Sequence, residues 1–267
     1  MKKLLKKIIY NSEYSYYYYK LFQNKIKSRK NKINYGTDIV VCGLNRSGST
    51  LSYNILFQIL QKTYNPSLGF VFDEKAYIKE LEKPNYSILR KTHDYSITLK
   101  NRIENKCTIG IFSHRHLLDV IASLIEKGWI KNIKDFLSQY GLEKLVYNSI
   151  LIAKIRGVIL ISYEELLNEK EIFIQKIAKQ LDLSLNEEQI QEIIYETSIE
   201  KIKKKISNMS FEKIGNDLVN KETGLHINHI NNPALNKWTK VLSEEDVNLI
   251  KGRKAYGSYN KFFGYNN

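Results

Sequence analysis

Cysteine is scarce in this sequence, and no apolar run is long enough to cross a bilayer. The two cysteines, Cys42 and Cys107, both lie in apolar, strand-like stretches. So few cysteines exclude a disulfide framework and favour a reducing compartment. Polar residues interrupt the longest apolar region, 145–163, and the N-terminus alternates lysine pairs with apolar pairs. The sequence therefore predicts a cytoplasmic protein with neither a signal peptide nor a transmembrane helix.

Acidic residues are also in short supply. The chain has 28 Asp and Glu residues and 42 Lys and Arg residues, which gives a net charge of +14. Such a charge suits a polyanionic partner: nucleic acid, an anionic membrane surface, or a nucleotide with several phosphates. Much of the excess is lysine that accompanies asparagine and isoleucine, the composition that an AT-rich genome produces. Composition alone leaves both explanations open.

The first 32 residues differ from the rest of the chain. They form a basic, tyrosine-rich leader in which Leu4, Leu5, Ile8 and Ile9 could make one face of an amphipathic helix. Such a helix would lie on an anionic membrane, so a peripheral membrane contact is one interpretation. The other is a segment that packs on the following domain through its tyrosines. We expect residues 33–267 to form that domain.

Strands alternate with helices through residues 33–267. Apolar runs predict strands at 38–42, 86–90, 107–112 and 157–162. Helical spacing follows from Ser49, at 117–127, at 134–155 with an interruption near Gly141, at 170–182, at 186–205, and from Ser243, with Asp246 as its capping partner. The all-apolar fourth run is typical of a parallel strand covered on both faces. The pattern predicts an α/β fold, a three-layer sandwich with a central, mostly parallel sheet.

The glycine-rich stretch after the first strand predicts an anion-binding loop. Gly43 and Gly48 have the spacing of the nucleotide P-loop, G-x-x-x-x-G-K-[ST], and Ser49-Thr50 opens a helix. The loop N–H groups and the helix dipole would hold a phosphate there. Ser49 occupies the position of the P-loop lysine, and Arg46 inside the loop is the nearest cation. This replacement weakens the case for ATP or GTP chemistry.

The loop residues resemble the 5′-phosphosulfate loop of the sulfotransferases, enzymes that use 3′-phosphoadenosine 5′-phosphosulfate (PAPS). That loop reads roughly Pro-Lys/Arg-Ser-Gly-Thr/Ser-Thr in the family. The chain matches it at five consecutive positions, Arg46, Ser47, Gly48, Ser49 and Thr50, and has Asn45 in place of the proline. The resemblance implies that these five residues bind the 5′ end of PAPS, a P-loop-like phosphosulfate site. A glycine turn with nothing bound is the alternative.

Further segments resemble the same family and occur in the family's order. Arg115 ends the third strand and Ser123 follows eight residues later, as in the 3′-phosphate motif. Tyr163 stands in a segment like the family's Tyr-Glu-Asp-Leu, where the tyrosine lies near the adenine. Trp238 resembles the tryptophan that helps close the site, and Lys237 before it could supply the second 3′-phosphate contact. Leu51 replaces the tryptophan on which the family's cytosolic members stack the adenine.

Lys91-Thr92-His93 resembles the Lys-Thr-His of cytosolic sulfotransferases, in which the histidine is the catalytic base. His93 would take the proton from an acceptor hydroxyl or amine, and Arg46 would stabilise charge on the leaving phosphate. The resemblance implies PAPS as co-substrate, no metal, and a glycan or a small molecule as acceptor. Nucleic acid is not an expected partner. If His93 is not the base, Asp94 or Glu74 is the next candidate.

Two other functions fit parts of the sequence. A P-loop kinase of a small molecule would need a cation at position 49 and a carboxylate that binds Mg²⁺, and neither is evident. A basic module that binds nucleic acid or membranes would show binding that falls steeply with salt. His226 and His229 invite a metal site, but no cysteine or aspartate nearby completes it. The acceptor cannot be read from the sequence.

Overall fold

A computed structural model of the chain describes residues 38–64, 88–214, 217–220, 225 and 233–265. The leader, His226 and His229 lie outside these residues, as does Glu74. Among the described helices, none is long and apolar enough to cross a membrane.

A parallel sheet of four strands organises the described residues. Its strands are β1 (Asp38–Gly43), β2 (Ile88–Thr92), β3 (Ile109–His114) and β4 (Ile159–Ser162), in the order β2-β1-β3-β4. All six residues of β1 are buried, as its β-branched run predicts. Because the strands are parallel, their carboxyl ends lie along one edge of the sheet, at Gly43, Thr92, His114 and Ser162. We call it the carboxyl edge and the opposite one the amino edge.

Twelve described helices surround the sheet. They are α1 (Ser49–Tyr64), α2 (Ile97–Glu104), α3 (Leu117–Glu126), α4 (Ile133–Gln139), α5 (Leu142–Ala153), α6 (Tyr163–Asn168), α7 (Lys170–Gln180), α8 (Glu187–Glu196), α9 (Ile199–Ser207), α10 (Trp238–Val241), α11 (Glu244–Lys251) and α12 (Lys254–Phe263). A short antiparallel hairpin joins β5 (Glu212–Ile214) to β6 (Asp217–Val219).

Both faces of the sheet are covered by helices. Ile39 and Val41 pack in a cluster with apolar side chains of α1, α7 and α8. Val40 and Cys42 point the other way and share a cluster with residues of α2 and α5. Alternate residues of one strand thus fill two cores, as the period of a strand requires. The arrangement confirms the predicted three-layer α/β fold with a parallel sheet.

Several predicted element boundaries change in the structure. The single helix expected at 186–205 is two helices, α8 and α9, because the Ser198 side chain accepts a hydrogen bond from the Lys201 N–H and caps α9. Cys107 precedes β3 instead of lying within it. The hairpin of β5 and β6 was not predicted, and neither was α12. The interruption at Gly141 and the capping box of Ser243 and Asp246 are confirmed.

Candidate active site

The predicted site residues gather at the carboxyl edge of the sheet. The loop 43–48 follows β1, and His93 follows β2. Arg115 comes directly after β3, and Tyr163 directly after β4. In an open parallel sheet this edge is where ligands bind. The topology therefore brings residues from four separate stretches of the chain to one place.

The loop after β1 packs closely against its neighbours, and its two glycines allow this. Gly48 has φ +93°, and a Cβ there would lie 2.8 Å from Tyr163 Cδ2 and 2.9 Å from Leu166 Cδ1. A Cβ on Gly43 would lie 2.7 Å from the Ser113 carbonyl oxygen. Any side chain at either position would push the loop away from β3 or α6. The P-loop spacing thus reflects close packing of the loop on the sheet.

The Ser47 hydroxyl holds the loop to β3. Its Oγ lies 2.8 Å from the Leu44 carbonyl oxygen, 2.9 Å from that of Ser113 and 2.9 Å from Ser113 Oγ. The side chain is fully buried in these contacts. Ser47 therefore positions the loop, and its predicted contact with a cofactor would need the side chain to turn. The first N–H groups of α1, at Ser49 and Thr50, have no acceptor within their helix and suit an anion.

Arg46 connects the loop to the Arg115 motif. It adopts a left-handed backbone conformation, with φ +68°. Its Nε donates to Ser123 Oγ at 3.0 Å, and its guanidinium carbon lies 5.8 Å from the centre of the Trp129 ring. Burial lowers the pKa of Arg46, and the positive charge of Arg115 contributes to the lowering. Two cations thus lie close together in a poorly solvated place.

Arg115 is 3% exposed and spans the site. One terminal nitrogen, Nη2, donates to the Ala234 carbonyl oxygen at 3.0 Å, and Nη1 donates to that of Arg46 at 3.4 Å. The guanidinium carbon lies 4.0 Å from the centre of the Tyr163 ring, a cation–π contact. Among the described residues, no acceptor meets its buried Nε. Arg115 thus touches both the loop and the segment before Trp238.

Asp119 fixes the segment that contains Lys237 and Trp238. Its Oδ2 accepts the Asn236 N–H at 2.9 Å and its Oδ1 accepts the Trp238 N–H at 3.1 Å. The same carboxylate lies 3.6 Å from Arg115 Nη2. Because Asp119 lies in the first turn of α3, four residues after Arg115, its carboxylate reaches both the arginine and the backbone of residues 236–238. This role of Asp119 was not predicted.

Lys237 and Trp238, which we call the closing segment, contact α3 and its N-cap residue His116. Lys237 is 6% exposed, and its Nζ forms an ion pair with the carboxylate of Glu126. Burial lowers the pKa of Lys237, although Glu126 opposes the shift. The Trp238 ring stacks on His116 with the ring centres 6.0 Å apart. Both predicted residues therefore lie at the carboxyl edge, beside α3, which follows Arg115 and carries Ser123.

Lys91 enters the site from β2 and was not among the predicted site residues. Its Nζ donates to Thr50 Oγ1 at 2.8 Å, at the start of α1. Burial lowers the pKa of Lys91 to about 8, and Arg46 adds to the effect. The signal in the sequence was its place in Lys91-Thr92-His93. Lys91 thus supplies an ammonium group near the loop from a neighbouring strand.

His93 is oriented by two hydrogen bonds. Its Nδ1 lies 2.6 Å from the Gly43 carbonyl oxygen, which can only accept, so Nδ1 carries the proton and Nε2 is left as an acceptor. The Asn148 amide donates to the His93 carbonyl oxygen at 2.7 Å and accepts from the Tyr95 N–H at 2.8 Å. Asn148, on α5, was not predicted. This tautomer suits His93 for accepting a proton.

No group of three or more His, Cys, Asp or Glu side chains that could hold a metal ion occurs in the described part of the chain. The ionisable groups at the carboxyl edge are mainly cations. The chemistry available there is anion binding, charge stabilisation and proton transfer.

The fold and the site define an α/β protein whose P-loop-like loop is suited to a phosphorylated or sulfated anion. The family model of the sulfotransferase domain matches residues 36–248 of this chain. The chain therefore belongs to the sulfotransferase family.

Solved sulfotransferase structures share its fold at low sequence identity. Mouse sulfotransferase SULT7A1 complexed with PAP matches with a TM-score of 0.62 and 15% identity, covering 85% of this chain and 88% of that one. Retinol dehydratase in complex with androsterone and the inactive cofactor PAP matches with a TM-score of 0.58 and 17% identity, covering 86% and 82%. Retinol dehydratase with retinol and PAP gives 0.57 and 18%, covering 88% and 84%. No curated protein sequence matches the chain.

Proposed function

We propose that this sulfotransferase uses PAPS and transfers its sulfuryl group to a hydroxyl group of a small molecule. The observation that carries the proposal is the contact between Arg46 and Ser123, which joins the anion-binding loop to the Arg115 motif. PAP, which is 3′,5′-adenosine bisphosphate, is bound in the similar structures. Two of them also hold androsterone or retinol, which favours a small alcohol over a glycan as acceptor.

The residues divide between the two ends of the nucleotide. Arg46 and the N–H groups of Ser49 and Thr50 would bind the 5′-phosphosulfate, since they are at the start of α1. Arg115 and Ser123 would bind the 3′-phosphate, for which a guanidinium group is a bidentate donor. Lys237 would supply the second contact to the 3′-phosphate, and Tyr163 and Trp238 would border the adenosine.

The transfer step follows from the orientation of His93. Its Nε2 accepts the proton of the acceptor hydroxyl while the hydroxyl oxygen forms a bond to sulfur. The bond between sulfur and the bridging oxygen breaks, and that oxygen leaves with the electron pair as part of PAP. Arg46, Lys91 and the loop N–H groups stabilise the charge that grows on it. Arg46 keeps its proton at neutral pH and so acts by charge alone.

Ligand-dependent thermal unfolding tests the nucleotide assignment. We expect PAP to raise the melting temperature, because a ligand that binds only the native state stabilises it. ATP with Mg²⁺ and a DNA oligonucleotide serve as the comparison ligands. A larger shift with ATP and Mg²⁺ would indicate a kinase, and a salt-sensitive shift with the oligonucleotide alone would indicate a nucleic-acid-binding module.

A screen with labelled PAPS tests the acceptor class. Hydroxylated apolar molecules, phenols, amines and oligosaccharides are each incubated with the full chain, and the labelled products are separated. Transfer to apolar alcohols supports the proposal. Transfer to oligosaccharides alone would overturn the small-molecule assignment and leave the donor assignment intact.

A further inference from the structure

The Glu126 carboxylate lies next to Lys237, a cation that the proposed nucleotide site would use to bind the 3′-phosphate. It is the last residue of α3 and stands three residues after Ser123, on the same side of the helix. It forms an ion pair with Lys237 Nζ. Lys237 is the residue expected to contact the 3′-phosphate together with Arg115. The protein thus supplies its own anion to one of the groups that would hold the phosphate.

The two partners of this pair differ in their access to water. The Lys237 side chain is 6% exposed, whereas that of Glu126 is 31% exposed. Lys237 is therefore held in place, and the carboxylate can move into solvent. Glu126 also interacts electrostatically with Arg46, which in turn interacts with Lys237 and Arg115. An anion that enters among these three cations would compete with Glu126.

We propose that Glu126 is a specificity-determining residue, an internal counter-ion of Lys237 that the 3′-phosphate of the nucleotide must displace. This inference rests on the proposed function, because it assigns the 3′-phosphate to the neighbourhood of Lys237. Binding exchanges one ion pair for another, so only part of the attraction between Lys237 and the phosphate appears as affinity. Glu126 therefore weakens the binding of nucleotides that carry a 3′-phosphate and leaves other nucleotides unaffected.

Weaker binding of the 3′-phosphate favours turnover. The donor PAPS and the product PAP carry the same 3′-phosphate, so contacts with it bind both ligands equally. Uniform binding of this kind lowers KM without raising kcat, and it slows product release. A counter-ion that returns to Lys237 helps PAP leave. Glu126 thus favours turnover over nucleotide retention.

The test compares Glu126→Gln with the unchanged chain in calorimetric titrations. We expect the variant to bind PAP about tenfold more tightly, the scale of a close charge pair. Adenosine 5′-phosphosulfate, which lacks the 3′-phosphate, should bind both proteins equally. Glu143→Gln is the matched control, because it removes one carboxylate that pairs with Arg253 on the surface at 3.7 Å. Equal or weaker PAP binding by Glu126→Gln would overturn the inference.

A second comparison shows whether Glu126 acts through Lys237. In a Lys237→Gln background, the further change Glu126→Gln should alter PAP affinity little, since the paired cation is already gone. A gain as large as in the unchanged chain would mean that Glu126 repels the nucleotide directly and is not the counter-ion of Lys237. A lower melting temperature with equal losses for both nucleotides would assign the pair to folding alone and would also overturn the inference.

Binding measurements with PAP and with inorganic phosphate distinguish a failure of this inference from a failure of the proposed function. If PAP binds the unchanged chain but Glu126→Gln gives no gain, the function stands and the inference fails. If the unchanged chain does not bind PAP, the nucleotide assignment fails. Phosphate that then binds Glu126→Gln more tightly than the unchanged chain, and only when Lys237 is present, still supports the counter-ion.

Discussion

The two edges of the sheet differ in the partners that their buried cations meet. At the amino edge, the carboxylate of Asp38 receives both neighbouring arginines. Arg102 Nη2 lies 2.9 Å from Asp38 Oδ2, and Arg90 Nη2 lies 3.3 Å from the same oxygen. The Thr108 hydroxyl donates to it as well. The charges of this edge are paired within the protein, and the cluster joins β1, β2, α2 and the residue before β3.

At the carboxyl edge, two of the cations donate to neutral hydroxyl groups. Arg46 Nε donates to the hydroxyl of Ser123, and Lys91 Nζ donates to that of Thr50. Asp119, the buried carboxylate beside Arg115, also accepts two backbone N–H groups. Burial lowers the pKa values of both Arg46 and Lys91, so their charged forms are less favoured there than in water.

The comparison separates structural charges from functional ones. A buried arginine that meets a carboxylate contributes to the fold, and its removal leaves the partner unpaired. Buried cations that crowd together on neutral partners lower stability, and a ligand of opposite charge relieves them. Substitutions at the carboxyl edge should therefore change ligand binding and turnover. Substitutions at the amino edge should change stability.

The largest effect is expected at His93, at the carboxyl edge. His93→Ala should lower turnover by about 10²–10⁴, because it removes the general base. The affinity for PAP should hardly change, since His93 would face the acceptor. Turnover with labelled PAPS and calorimetric binding of PAP measure the two quantities separately.

His93→Asn is the matched control for this change. Asparagine keeps a hydrogen-bonding side chain at the position but is not a base, so its turnover should fall to a similar level. Near-normal turnover in either variant would show that His93 is not the base. Asp94 would then be the first carboxylate to substitute, followed by Glu74.

Among substitutions at the amino edge, Asp38→Ala should have the largest effect. It leaves Arg90 and Arg102 without their shared carboxylate, and the free energy of unfolding should fall by about 3–5 kcal/mol. The ratio of the affinities for PAP and adenosine 5′-phosphosulfate should stay the same. Denaturant titration measures the first quantity and calorimetry the second.

Glu192→Gln serves as the control for a surface pair. Glu192 pairs with Lys62, and its side chain is about half exposed. Loss of such a pair should cost at most about 1 kcal/mol. If Asp38→Ala costs no more than this control, the amino edge does not stabilise the fold through its charges, and the contrast between the edges is lost.

Much of the fold follows from the sequence because its strands are buried on both faces. A run such as that of β1 has only one stable place, the centre of a covered sheet. Short elements carry no such signal. The helix α12 contains glycine and four aromatic residues, and it depends on packing: Tyr256 and Tyr259 are buried, and the Tyr259 hydroxyl donates to the Arg115 carbonyl oxygen at 3.0 Å.

The site was predictable where its residues are neighbours in sequence and hidden where they are not. The loop and the stretch from Arg115 to Ser123 are each continuous. The pairs Lys91–Thr50, Asn148–His93 and Lys237–Glu126 join residues 41, 55 and 111 positions apart. They depend on the strand order and on how α3 and α5 pack, which no local pattern records.

Arg115→Ala tests the assignment of the 3′-phosphate at the carboxyl edge. It should weaken PAP binding by about 1.5–3 kcal/mol, the usual size for a hydrogen bond to a charged group. Adenosine 5′-phosphosulfate should bind as before, because it has no 3′-phosphate. Equal losses for the two nucleotides would place Arg115 with Arg102 as a structural arginine and would make the 3′-phosphate assignment wrong.

The smallest expected effect is the pH dependence that Lys91 imposes. Its pKa is lowered from 10.5 to about 8, so the unfolded chain holds more protons between these values. The unliganded protein should therefore gain stability from Lys91 as the pH rises through this window. A bound anion beside Nζ raises the pKa again, so PAP binding above pH 8 must take up a proton.

Affinity for PAP should consequently fall by up to about tenfold per pH unit above pH 8. The second ionisation of a phosphate lies near pH 6, at about two units lower, and does not contribute. Calorimetry in buffers of different ionisation enthalpy counts the proton taken up. Lys91→Gln should bind PAP more weakly and with a flat profile over the same range. A slope that persists in this variant would assign the titration to another group.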